Sequence, residues 1–179
     1  MRPSTPIFLA LFLEPCKGDS IHHSARYARR MPQSLARLPI HLVFSTKGRE
    51  PTLPDTVRDP LHRYMASLLA DLKCPAHLIN SVEDHVHILY ELARTATVAR
   101  VAEDVKKASS RWLKTTCPDM KGFAWQAGYG AFAVSVSNVD SVRAYIADQR
   151  EHHRHVTFQE YRAFLQRHGV EFDEQYVWD

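Results

Sequence analysis

The sequence is poor in cysteine, with Cys16, Cys74 and Cys117 alone among 179 residues. An odd number, widely spaced and with no C-x-x-C pair, argues against a disulfide framework and against a thiolate zinc site, and fits a reducing cytoplasm. A dominant charge is lacking too. The formal net charge is +3 and the pI near 8.8, so a polyanionic partner must be held by local stripes of charge and not by the overall field. Long apolar runs are missing: "PIFLALFL" near the start is far shorter than a membrane span, and the "EPCKGD" after it lacks the small-x-small cleavage pattern of a signal peptide. There is no internal repeat and no low-complexity tract. What is present is a chain 45% hydrophobic and 10% aromatic, the size of one domain and able to bury a core.

The first thirty residues differ in character from the rest. They end in the polar, basic "IHHSARYARR", after which Met31 opens "MPQSLARLPIHLVFSTKGR" in the manner of a protein start. Residues 1–30 read as an extension or a misassigned start, and 31–179 as the domain. Within it, "HLVFST" (41–46) is β-branched and aromatic and stops at "KGREP", a strand followed by a basic loop. Residues 55–72 carry Leu61, Met65, Leu68 and Leu72 at helical spacing, with Asp55 as N-cap and Pro60 near the first turns. "AHLINSVE" and "HVHILYEL" have strand period and form a hairpin through Glu83 and Asp84. The helix from about Thr97 to Thr116 shows Val98, Val101, Val105, Ala108 and Trp112 as one apolar stripe. "FAWQAGYGAFAVSVS" (123–137) is strand-like. "NVDSVRAYIADQREHH" returns to helix, capped by Asn138 or Asp140; another helix spans about Thr157 to Arg167 before an acidic, aromatic tail. Strand, helix, strand, strand, helix, strand is the order of a ferredoxin-like split βαβ fold of the α+β class, with an antiparallel sheet, helices mainly on one face and extra C-terminal helices.

The stretch "VEDHVHILYEL" (82–92) poses the chemical question. On a strand, His85 and His87 share one face, with Cα atoms ~6.6 Å apart, while Val86, Ile88 and Tyr90 share the other. A lone histidine there would simply bond a backbone group or face solvent; two at this spacing can converge on one cation. In "AYIADQREHH", Tyr145 and Gln149 are i and i+4 on a helix and His153 continues the line. The tyrosine gains chemical interest if this helix lies against the histidine face, where a phenol can meet a metal-bound phosphate.

Taken in order, "HLVFSTKGR", "DHVHIL", "GYGAFAVSVS" and "YIADQREHH" resemble the signature segments of the single-tyrosine HUH transposases, the insertion-sequence-200-like family with its repeat-associated members, over essentially all of residues 31–179. The resemblance implies that His85 and His87, with Val86 packed inward between them, bind a divalent cation. It also implies that Tyr145 is the nucleophile and that Gln149 completes the cation site. Imidazole shifts the preference of such a site from Mg²⁺ toward Mn²⁺. His153, His152 and Asp148 are alternatives to Gln149, an all-histidine set being more zinc-like. Attack by Tyr145 on a DNA phosphodiester would give a 5′-phosphotyrosine and a free 3′-hydroxyl, so that a second 3′-hydroxyl can rejoin the strand without ATP.

At ~100° per residue, Arg100, Lys107, Arg111 and Lys114 form a second stripe on the 97–116 helix, away from the apolar one. With Lys47 and Arg49 after the first strand, they are candidates to track a phosphate backbone of single-stranded DNA bearing a hairpin, with Tyr129 or Trp125 stacking bases. By itself such a stripe is usually a solvated face. The family resemblance further implies a homodimer, the tyrosine helix serving its own or its partner's site. The expected function is a transposase and single-strand endonuclease. The competing readings are a domesticated hairpin-binding protein and a hydrolase of small phosphoesters.

Overall fold

The computed structural model of the chain describes residues 35–148. The 1–30 extension, Met31, the helix expected at about 157–167, the tail, Gln149, His152 and His153 lie outside the described residues. Four strands, β1 (Pro39–Ser45), β2 (Ala76–Ser81), β3 (His85–Glu91) and β4 (Gly130–Ala133), alternate with the helices α1 (Asp55–Asp71), α2 (Val98–Thr116) and α3 (Val139–Ala147). The sheet order is β2-β3-β1-β4 with every pair antiparallel. That is the ferredoxin-like split βαβ arrangement expected from the sequence, with β1 and β3 at the centre.

Period-two alternation along the central strands gives the sheet two unlike faces. Ile40, Leu42 and Phe44 of β1, with Val86, Ile88 and Tyr90 of β3, point into the main core, where Leu61, Met65 and Leu69 of α1 and Val101, Val105 and Leu113 of α2 cover them. The opposite face carries His41, His85, His87 and Leu89; there α3 docks through a small cluster of Leu89, Val139 and Ile146, edged by Leu78, Val142 and Tyr145. Both faces are covered, so the whole of β1 is buried.

α2 begins where its sequence directs. Thr97 is the N-cap and its side chain accepts from the Arg100 N–H, which satisfies one of the unpaired donors of the first turn. Its buried stripe is Val101, Ala102, Val105, Ser109 and Leu113, rotated slightly from the expected one; Trp112 lies at its border, stacked on Tyr64 of α1 at 5.3 Å between ring centroids. The N-cap of α1 is Pro54, not Asp55, whose carboxylate is instead engaged by Arg58 at 2.7 Å. The C-terminus of α1 closes by hydrogen bonds from Cys74 N–H to the Leu69 carbonyl and from Lys73 N–H to the Ala70 carbonyl, a Schellman arrangement. It places Lys73 at φ +61°.

The strand expected over 123–137 is shorter. Only Gly130–Ala133 pairs continuously with β1, and Trp125 makes an isolated bridge to Thr46. The Trp125 indole turns into the core, edge-on to Phe44 and Phe123, and donates Nε1–H to Ser109 Oγ at 3.0 Å. The Lys106 ammonium donates to the carbonyls of Ala127 and Gly128, so a side chain takes up acceptors that a strand ladder would otherwise use.

Candidate functional site

The register of β1 on β3 sets His87 opposite Val43 and His41 opposite Leu89. His41 and His87 are therefore diagonal neighbours on one face, within side-chain reach. Their rings stack at 5.1 Å between centroids, and His41 Nε2 lies 2.9 Å from His87 Nδ1. The His85 and His87 rings are 4.9 Å apart and nearly perpendicular. All three histidines are buried.

His85 is anchored from its own turn. Its Nδ1 is 2.7 Å from Asp84 Oδ1, while Arg49 Nε and Nη2 donate to Asp84 Oδ2 at 3.1 and 2.8 Å. Burial works to raise the Asp84 pKa, but the His85 hydrogen bond and charge, with the Arg49 guanidinium, outweigh it and hold the carboxyl at about 2. At neutral pH Asp84 is thus ionised and can only accept, so the His85 Nδ1–H is the donor and the Nε2 is the nitrogen suited to a cation. The reach of Arg49 depends on the backbone: Gly48 and Arg49 take φ values of +63° and +55° in succession, turning the chain back across the end of β1.

Tyr145 completes the constellation from α3. Its ring centroid lies 6.0 Å from that of His87 and 6.4 Å from that of His41, edge-on to both, in the same chain. Two contacts hold α3 there. Ile146, one residue on, is fully buried against Leu89, and Asn80 Nδ2, on β2 in register with His87, donates to the carbonyls of Ile146 and Ala147 at 2.7 and 3.3 Å. The latter bond satisfies carbonyls in the last turn that the helix leaves without a partner of its own.

The donor set fits two ligands of a cation site open to further oxygens: two adjacent imidazoles, one oriented by a carboxylate and the other by a third imidazole. Among the described residues, no group of three or more His, Cys, Asp and Glu side chains forms a metal site. The expected third ligand, Gln149, falls outside them.

The family described as "Transposase IS200 like" matches residues 34–149 of this sequence, from the start of the described region through the tyrosine helix. The chain belongs to the IS200-like transposase family. Its class is that of enzymes that cleave and rejoin DNA. The fold of this transposase is similar to that of a candidate transposase from Deinococcus radiodurans R1, with a TM-score of 0.56 and 24% identity over 66% of this chain and 95% of that one. It is also similar to a REP-associated tyrosine transposase bound to a REP hairpin, with a TM-score of 0.53 and 15% identity over 70% of this chain and 74% of that one. No curated protein matches the chain.

In this transposase the structure brings together His85, His87 and Tyr145. It adds His41, Asp84 and Asn80, which sequence reasoning did not place in the site. The signal for His41 was a polar residue within the buried run Ile40–Phe44; that for Asp84 was its position next to His85. Arg49 lies at the same sheet end, engaged with Asp84, and Lys47 is exposed beside it at the rim of a groove of about 1190 Å³ that Trp125 and Phe123 also line. Arg100, Lys107, Arg111 and Lys114 are exposed on α2, which covers the opposite face of the sheet from the histidines. Arg100 pairs with Asp104 and Glu103, and Lys107 with Glu103, so that stripe is not purely basic. Tyr129 is exposed, but Trp125 is a core residue and not a base-stacking platform. No helix among the described residues is long and apolar enough to cross a membrane.

Proposed function

We propose that this IS200-like transposase cleaves single-stranded DNA through a 5′-phosphotyrosine on Tyr145, at a site where His85 and His87, with Gln149 as third ligand, hold Mg²⁺ or Mn²⁺. The observation that carries the reading is the approach of the Tyr145 ring to within 6.0 Å of the His87 ring in one chain, on the face where His85 also stands. The bound ion would supply Lewis-acid polarisation of the scissile phosphate. The residues of the chain do the rest. Asp84 and Arg49 fix the His85 ring, Asn80 and Ile146 fix α3, and Tyr145 Oη forms a bond to phosphorus as the bond from phosphorus to the 3′-oxygen breaks. In net balance the phenol loses its proton and the departing strand leaves with a 3′-hydroxyl. A later 3′-hydroxyl reverses the exchange.

The DNA partner is a strand carrying a hairpin, a proposal supported by the hairpin seen in the REP-associated relative. Lys47, Arg111 and Lys114, with Arg49 and the ion-paired Arg100 and Lys107, are its candidate phosphate contacts. A homodimer would bring two tyrosines to two strand ends.

The test is incubation of the protein with labelled single-stranded DNA from the flanks of its own gene and Mn²⁺. Wild type is expected to yield a covalent band resistant to denaturation, and Tyr145→Phe none, while retaining hairpin binding within a few-fold. His87→Ala is expected to lose cleavage that depends on the metal. An adduct formed by the phenylalanine variant would overturn the assignment of the nucleophile.

A further inference from the structure

We propose that His41 is a positioning residue for the cation site: its Nε2 accepts the Nδ1 proton of His87 and so keeps the His87 ring in the tautomer that offers Nε2 to a divalent cation. The inference rests on the reading of the site given above. A neutral imidazole carries one proton on one of two nitrogens. The 2.9 Å contact between His41 Nε2 and His87 Nδ1 can be made in two ways. If His41 donates, the proton of His87 sits on its own Nε2 and blocks ligation through that atom. If His41 accepts, His87 carries its proton on Nδ1, its Nε2 lone pair is left for a cation, and the proton of His41 lies on Nδ1, a buried atom.

The cation site selects the second arrangement, since His87 Nδ1 is taken up by His41 and only Nε2 is left to ligate, and three observations support this pairing as a fixed one. The neighbouring ligand has the same geometry, its Nδ1 lying 2.7 Å from Asp84 Oδ1; His41 then does for His87 what Asp84 does for His85. Burial is the second: His41 is 1% and His87 3% exposed, so water cannot readily take the acceptor's place. The third is rigidity. β1 is paired on both sides, and the His41 ring is bracketed by Phe132 and Tyr145 at 6.4 Å each, so its nitrogen is held where the His87 proton points. Because the same ring borders Tyr145, His41 also sets the spacing between a cation ligand and the attacking phenol.

The experiment uses the full chain labelled with ¹⁵N-histidine, with Mg²⁺ for spectroscopy and Mn²⁺ for calorimetry. In Mg²⁺-loaded wild type, the ¹⁵N shifts of His87 are expected to report the proton on Nδ1. His41→Phe, which keeps an aromatic ring and removes the acceptor, is expected to weaken Mn²⁺ binding about 10- to 100-fold. His41→Gln, whose amide oxygen reaches near the Nε2 position, is expected to restore most of that loss. Circular dichroism checks that both variants keep the fold. Wild-type Mn²⁺ affinity in His41→Phe, or a His87 proton on Nε2 in the Mg²⁺-loaded protein, would overturn the role of His41. The ¹⁵N measurement decides the matter on wild type if the phenylalanine variant does not fold. A wild-type chain that binds no Mn²⁺ at all would instead overturn the cation site itself.

Discussion

Lys73 shows how a single backbone angle carries a cost. A side chain with a β-carbon at φ +61° occupies the left-handed region, at roughly 1 kcal/mol above a glycine in the same position. The Schellman bonds around it already fix the chain, so Lys73→Gly is expected to stabilise the protein by up to about 0.5 kcal/mol, the relief of strain slightly exceeding the extra entropy of the unfolded chain. A rise in the urea midpoint with an unchanged slope checks this; a fall would show that the lysine side chain contributes more than its backbone costs. At this scale the sequence was informative where chemistry came in pairs. His85 and His87 declare themselves by two-residue spacing, whereas His41 is one histidine in a strand, and only the pairing of β1 with β3 brings it beside His87. Register over 46 residues of separation is not written in any local pattern.

Among the elements, α2 was legible in full and β4 in its presence but not its extent, for a common reason. α2 is long, strongly periodic and capped by Thr97, so local and tertiary preferences agree. The segment before β4 has strand-forming residues, but Trp125 and Lys106 recruit it into other contacts, and tertiary packing overrides propensity. α3 is an intermediate case: its presence is legible, but the face it docks on depends on Leu89, Ile146 and Asn80, which lie far apart in sequence. With nine residues it is too short to be stable alone. Asn80→Ala is therefore expected to loosen α3 by about 1 kcal/mol, seen as faster amide exchange in α3, with the exchange of β1 and β3 little changed. If protection in α3 is unaltered, the amide of Asn80 does not clamp the helix.

Across the whole molecule, stability and chemistry occupy different sides of the sheet. The main core, under α1 and α2, holds most of the large buried side chains; the α3 side holds a small cluster and the histidines. Leu113→Ala, a fully buried truncation in the main core, is expected to cost about 2–5 kcal/mol and to leave Mn²⁺ affinity within about two-fold, since a cavity in one layer does not shift ligands fixed by strand pairing and by Asp84. A denaturation midpoint and a calorimetric titration on the same variant test both halves. Loss of affinity in step with stability would show that the two sides are coupled. The ferredoxin-like order of elements was readable from the sequence, because hydrophobic periodicity reports the type of each element. The second layer was not, because periodicity does not report which face of a sheet a short helix will cover.

The left-handed turn at Gly48 and Arg49 bears on how substitutions there would spread. Any β-carbon at position 48 has open space around it yet meets an unfavourable φ of +63°, and the next residue, Arg49, is the one that holds Asp84. A replacement that looks harmless by volume would thus unlatch His85 from a distance, so the tolerance of this loop to change is governed by torsion and not by room.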